Sequence, residues 1–161
     1  MPDIHISVQG FAKLKRELEE LKKERPAVIQ AIKEAREEGD LRENAGYDAA
    51  RERQGMLEAR ITYIESRLPQ CIVVDLDTMG GSKVAFGATV EIENMETGEH
   101  KRYTLLGPDE ADFNEGTISV YSPLAKALLG QEAGAAVEVN APRGQIYYEL
   151  LSVEFKGSQG K

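Results

Sequence analysis

Tryptophan is absent, Cys71 is the only cysteine, and the two histidines, His5 and His100, stand far apart in a chain of 161 residues. A lone cysteine excludes an internal disulfide, and the expected compartment is a reducing one, the cytoplasm. One cysteine with two distant histidines also lacks the paired spacing of a zinc site. No apolar run approaches the length of a membrane span. The opening MPDIHIS has neither the basic nor the apolar segment of a signal peptide, so no membrane association is expected. Aromatic residues make up 6% of the chain, which is thin for an aromatic-lined pocket. Positive charge is in short supply as well. A formal net charge of −8 argues against a general nucleic-acid binder. Most of that excess falls after residue 75, so a contact with nucleic acid belongs to a local basic cluster in the first half.

What is present is periodicity. From about Ser7 to Gln70 the chain is dense in Glu, Lys, Arg, Leu and Ala, and glycine is rare. Leu14, Leu18, Leu21, Arg25, Val28 and Ile32 step by four and three, the spacing of a heptad seam. Ala50, Gln54, Leu57, Ile61, Ile64 and Leu68 form a second seam. The two mirror each other: Leu14 pairs with Leu68, Leu18 with Ile64, Leu21 with Ile61, and so inward to Ala35 with Tyr47, at a constant sum of residue numbers. A constant sum is the signature of an antiparallel hairpin, and it puts the fold-back where Gly39-Asp40 supplies a turn. At 1.5 Å per residue each arm is expected to reach roughly 40–45 Å. Pro26 lies inside the first arm, and because the register survives on both sides of it, a bend rather than an end is expected. Arg25 can lay its stem along the seam with its head in water.

After about residue 76 the pattern changes. Residues 77–82, with Gly80-Gly81-Ser82, read as a linker. Strand-like runs follow at Lys83–Phe86, Thr89–Asn94, Arg102–Leu106, Thr117–Tyr121, Val137–Asn140 and Ile146–Phe155. Turns are expected at Glu96-Thr97-Gly98 and Pro142-Arg143-Gly144. Pro123–Leu129 reads as a short helix, capped by Ser122 and opened by Pro123. Val90, Ile92, Tyr103, Leu105, Val137, Val139, Tyr147 and Leu151 are the expected core, and Cys71 is expected as a small core residue. The chain is therefore α+β: a coiled-coil hairpin over residues 1–76, a mostly antiparallel sheet domain over 83–157, and a tail at 158–161.

The hairpin tip, residues 39–44, carries Asp40 and Glu43. Asp-x-x-Glu at a helix start is close to a capping box, with both carboxylates favoured by the positive helix end. The same pair can serve as oxygen ligands for Mg²⁺, which takes one or two carboxylates plus waters and substrate phosphates. Two carboxylates alone bind Mg²⁺ weakly, so a metal site here requires ligands from a partner. Both readings stand on the residues alone.

The stretch EAREEGDLRENAGYDAARERQGMLEARI, Glu34–Ile61, resembles the bacterial GreA/GreB transcript-cleavage factors. The resemblance continues through FGATVEIEN, GPDEADF and ISVYSPLAKALLG, covers nearly the whole chain, and is nearer to the GreA branch. It implies an N-terminal coiled-coil hairpin and an FKBP-like C-terminal domain. It implies a factor that enters the secondary channel of bacterial RNA polymerase and stimulates the polymerase's own cleavage of backtracked RNA, without being an enzyme itself. By resemblance, Asp40 and Glu43 help hold the second Mg²⁺ of the polymerase active site. Arg36 and Arg51 match the family's basic patch for the RNA 3′ segment, with Asn44 and Tyr47 as further RNA contacts. Tyr121, Ser122 and Pro123 fall on the loop that docks on a coiled coil of the largest polymerase subunit. A monomer is expected. Two positions depart from the family pattern: Gly46 replaces a frequent Glu, and Tyr121 replaces a small polar residue.

Blander roles compete for several of these residues. Arg36 and Arg51 sit on a charged face that water alone would satisfy. Tyr47 falls on the seam, where packing competes with base stacking. Asn44 suits a helix start. Two other functions also remain: a channel-binding inhibitor without cleavage stimulation, and a coiled-coil adaptor joined to a peptide isomerase.

Overall fold

The structure, a computed structural model, describes residues 3–37 and 45–157. The long helix α1 spans Val8–Glu37 and α2 spans Ala45–Arg67. Pro26 does not end α1; the flanking seam packing holds the helix through the missing donor. By its residue count α1 is ~45 Å long and α2 ~35 Å. At its C-terminal end α2 passes into a 3-10 turn at Leu68–Gln70, where Pro69 cannot extend an α-helix.

Ala12–Gln70 form one compact unit. Its core is the predicted seam: Val28, Ile32, Ala50, Leu57 and Ile61 are buried together, ringed by half-buried Leu18, Leu21, Ala31 and Tyr47. The arms are antiparallel, as the cross-helix ion pairs show. Arg60 Nε and Nη2 clasp Glu17 at 2.7 and 2.9 Å. Arg25 clasps Glu58 with two bonds of 2.8 Å. Lys22 meets Glu65 at 3.1 Å, and Arg53 meets Glu24 at 3.6 Å. Arg25 thus occupies its seam position with its stem inward and its head on a carboxylate. The hydrogen bonds from Arg60 hold the Glu17 carboxyl below its usual range, and those to Glu58 raise Arg25 further.

The second unit joins the residues before 12 to those from Cys71 onward. Its sheet contains β3 (Ala88–Asn94), β4 (His100–Leu106), β5 (Thr117–Ser119), β6 (Ala136–Ala141) and β7 (Gly144–Phe155), in the order β5-β4-β3-β7-β6. Only β4 with β5 is parallel. The short helix α3 (Pro123–Leu128) opens as expected: Ser122 Oγ accepts from the Ala125 N–H at 3.3 Å and Pro123 takes the first turn. The turn before β4 is closed by Asn94, whose side chain accepts from the Glu96 and Thr97 N–H groups, and by Gly98 at φ +76°. Val84, Ala88, Val90, Ile92, Leu105, Ala125, Leu128 and Leu150 make the centre of the core.

Several expectations shift in this unit. Lys83–Phe86 forms only an isolated bridge, Lys83 to Glu132, not a strand. Thr117–Tyr121 stops at Ser119, where the chain turns into the cap of α3. Tyr147 is 49% exposed, and Leu150 rather than Leu151 is fully buried. A break in the β3–β7 register between Glu91 and Ile92 alters which β7 side chains face inward.

The hairpin expected over residues 1–76 also differs at its ends. β1 (Ile4–Ser7) and β2 (Cys71–Val74) pair in parallel, with Cys71 opposite Ile4. Ile4 and Ile6 are buried, so these residues group with the sheet unit rather than with the hairpin. Cys71 is half-buried in that ribbon. Ser7 ends β1 and caps α1, its Oγ accepting from the Gly10 N–H at 3.0 Å. Glu110, on the loop after β4, accepts from the Ser7 N–H at 2.8 Å, from the Gly107 N–H at 3.0 Å, and from the Ser7 hydroxyl. Among the described residues no helix is long and apolar enough to cross a membrane.

Candidate functional site

The seam carries order to the far end of the hairpin. Ala35, in the last turn of α1, is buried, and Tyr47, in the first turn of α2, is half-buried against the seam cluster. Burial along the seam therefore continues into the last turn of α1 and the first turn of α2. Arg36 lies with its guanidinium carbon 6.0 Å from the centre of the Tyr47 ring, within cation–π range. Tyr47 thus packs along the seam with its ring beneath a cation. Arg51 is exposed one turn further along α2. These are three of the residues read as RNA contacts, and they lie on the turns of α1 and α2 that border the segment joining the arms. Asp40, Glu43 and Asn44 lie outside the described residues, in the segment joining Glu37 to Ala45.

Tyr121 and Ser122, two of the residues expected to dock, sit between β5 and α3, and the third, Pro123, opens α3. Tyr121 is 44% exposed, and its hydroxyl donates to the Asp3 carbonyl at 3.2 Å. Ser122 is half-buried and committed to its capping bond, while Pro123 is exposed at the helix start. The loop is braced on Ser119: the Ser122 N–H donates to the Ser119 carbonyl at 3.0 Å, and the Tyr121 N–H to the Ser119 Oγ at 3.0 Å. An exposed proline and tyrosine on a braced loop offer a contact surface that needs little ordering on binding. No group of three or more His, Cys, Asp or Glu is placed to hold a metal among the described residues. Sequence reading missed the Ser7–Glu110 cluster; GPDEADF looks like an ordinary polar loop, and nothing local announces a partner 103 positions away.

Two family models match the chain. One, described as "Transcription elongation factor, N-terminal", covers residues 4–73, and the other, "Transcription elongation factor, GreA/GreB, C-term", covers 79–155. The chain belongs to the GreA/GreB family. It is 67% identical over 161 residues to a protein of Nitratidesulfovibrio vulgaris (strain DP4) named transcription elongation factor GreA, covering 100% of this chain and 99% of that one. It is 52% identical over 152 residues to the protein of that name in Thioalkalivibrio sulfidiphilus, covering 93% and 96%. Among solved structures it is similar to GreA factor homolog 1 (Gfh1) of Thermus thermophilus, at 25% identity, 94% and 99% coverage and a TM-score of 0.45. Both family domains are present, and the match spans the paired strands β1 and β2 as well as the two arms.

Proposed function

We propose that this protein is a transcription elongation factor of the GreA type that acts with RNA polymerase and stimulates cleavage of backtracked nascent RNA. The observation that carries the reading is the pair of family matches, which together run from residue 4 to 155, joined to 67% identity with proteins named GreA along the full chain. The hydrolysis itself belongs to the polymerase. That name also disfavours a channel-blocking inhibitor, whose tip need not keep a carboxylate pair.

In this reading the hairpin enters the polymerase's secondary channel with residues 38–44 leading. Asp40 and Glu43 offer carboxylate oxygens, the donor type that Mg²⁺ prefers. Two ligands do not complete its coordination, and the described residues hold no metal cluster of their own. The remaining ligands would come from the polymerase and the RNA. A second Mg²⁺ bound between these ligands would supply Lewis-acid stabilisation of the reacting oxygens. Asp40 and Glu43 orient the attacking water, and Asn44 is a further contact to the RNA. Arg36 and Arg51 steady the RNA 3′ segment through its phosphates, and Tyr47, which packs against Arg36, is a further contact to that strand. Tyr121, Ser122 and Pro123 dock on the coiled coil of the largest polymerase subunit.

The test uses elongation complexes stalled in a backtracked state with Mg²⁺ present. The parent protein should release short RNA fragments and restore elongation. Asp40→Ala and Glu43→Ala should each lower stimulated cleavage by on the order of 10²-fold, the scale of losing one preorganised transition-state contact. Both should still compete with the parent for the polymerase. Variants that cleave like the parent would overturn the metal assignment.

A further inference from the structure

Tyr121 is held at the surface from two directions. Its hydroxyl donates to the Asp3 carbonyl at 3.2 Å, and its N–H donates to the Ser119 Oγ at 3.0 Å. The residue is nevertheless 44% exposed. A large ring bonded at both ends has little freedom left to lose when a partner covers it. The acceptor is itself anchored, because Asp3 leads into β1, where Ile4 and Ile6 are buried. Asp3 is exposed, and the bond to Tyr121 uses its backbone, so that bond leaves the Asp3 carboxylate uncommitted. Asp3, Ser119 and Tyr121 all belong to the sheet unit.

The charge around this contact has one sign. From Tyr103 to Ala125 the chain holds four acidic residues and no Lys or Arg, and Asp3 is the only charged side chain before Lys13. A basic surface is therefore drawn to this end of the unit. An arginine matches what is offered. Its planar guanidinium stacks on an aromatic face and also forms a fork to a carboxylate, whereas a lysine ammonium is a point charge. We infer that Tyr121 and Asp3 form a seat for one arginine of the polymerase coiled coil, stacked on the exposed ring and paired with the Asp3 carboxylate. The inference rests on the functional reading above, in which residues 121–123 dock there, and it names the group that the loop takes. It also gives Tyr121 a role that a small polar residue at this position does not fill, since such a residue has no ring to stack on.

The experiment measures displacement of labelled parent protein from RNA polymerase by unlabelled variants, at low and at physiological salt. Asp3→Asn keeps the backbone acceptor for Tyr121 and removes only the charge. It should weaken binding by about three- to fivefold at low salt, the scale of a partly exposed ion pair, and by less at high salt. Tyr121→Ala should weaken it by roughly tenfold or more, as loss of an aromatic anchor does. Tyr121→Phe keeps the ring without its tether and should cost about two- to threefold, the net worth of one hydrogen bond. Glu138→Gln removes the same charge from β6, at the opposite edge of the sheet, and should stay within about twofold of the parent.

The partner side is tested by changing each exposed arginine of the polymerase coiled coil to glutamine in turn. One such change should weaken the parent and leave Asp3→Asn with no further loss, the non-additivity of a shared contact. Lysine at that position should restore the dependence on Asp3 but only part of the affinity. Parent-like binding by Asp3→Asn at low salt would overturn the inference. So would an equal loss in Glu138→Gln, which would mark a diffuse field, or additive effects of Asp3→Asn with every arginine change. A parent protein that binds polymerase but fails to stimulate cleavage would overturn the cleavage reading and leave the seat standing. One that does not bind polymerase would overturn both.

Discussion

In the sheet unit, Ala88, Val90, Ile92, Leu105, Ala125, Leu128 and Leu150 are wholly shielded from solvent, because a five-stranded sheet and a covering helix enclose a three-dimensional core. In the hairpin, burial is confined to one stripe. Val28 and Ile61 are almost fully covered, yet Ile29 and Met56, beside the seam, are more than half exposed. Two helices have only one shared face to bury. Every other face meets water and carries charge, and the arms are tied across that charged surface by pairs such as Arg60–Glu17 and Arg25–Glu58. Exposed pairs of this kind contribute little each. The comparison teaches that the hairpin trades core for reach: it is slender and highly charged, and its stability is concentrated in a few side chains.

The sharpest way to break this comparison is to empty one site in each unit. Leu150→Ala should cost about 3–5 kcal/mol and Ile61→Ala about 2–4 kcal/mol, the range for large-to-small changes in cores. In urea, Leu150→Ala should move the near-ultraviolet transition of the sheet unit. Ile61→Ala should move the helical signal at 222 nm first. Equal shifts of both signals by either variant would mean that the two units unfold as one, and that the narrow seam is no weak point.

A smaller effect tests the exposed side of the hairpin. Gly55 lies inside α2, and a Cβ there meets nothing within 4 Å. Gly55→Ala should therefore stabilise the hairpin by about 0.5–1 kcal/mol through helix propensity and a less flexible unfolded chain. Thermal melting followed at 222 nm measures it. No gain, or a loss, would show that the open face near Gly55 is used for something other than solvation.

The smallest expected effect is electrostatic. Arg60→Gln should cost roughly 0.5 kcal/mol or less at neutral pH, because both partners are partly exposed and salt screens them. Its pH dependence carries more information. Arg60 holds the Glu17 carboxyl below its usual value. A carboxyl depressed on folding contributes stability above its unfolded pKa, and that contribution disappears as pH falls through the folded value. The parent should thus lose slightly more stability than Arg60→Gln on acidification through the carboxylate range. Parallel melting curves across that range would show that the pair contributes nothing measurable.

Much of the hairpin was legible because its physics is local and periodic. Leu21, Val28, Ile32, Leu57 and Ile61 repeat at seam spacing and pack together, with Tyr47 against them. Ser122 and Pro123 announced α3 by the chemistry of a helix start. Other features were hidden because they depend on distant chain. Ile4–Ser7 is too short to read as a strand until Cys71–Val74 lies beside it. Tyr147 alternates correctly for a core strand, but the broken register opposite Glu91 and Ile92 turns it outward. Asp40 and Glu43 are legible as carboxylates spaced for either capping or metal binding, and they lie outside the described residues.

By itself, then, the amino-acid order determined that two helices pair antiparallel along a shared seam and which side chains line it, since spacing along a helix is a property of neighbours. Only the tertiary structure decided where the hairpin ends and the sheet unit begins, and that Glu110 meets Ser7 and Gly107 at the root of α1. Those outcomes depend on strands and loops far apart in sequence coming within hydrogen-bond reach, and no local pattern encodes such a distance.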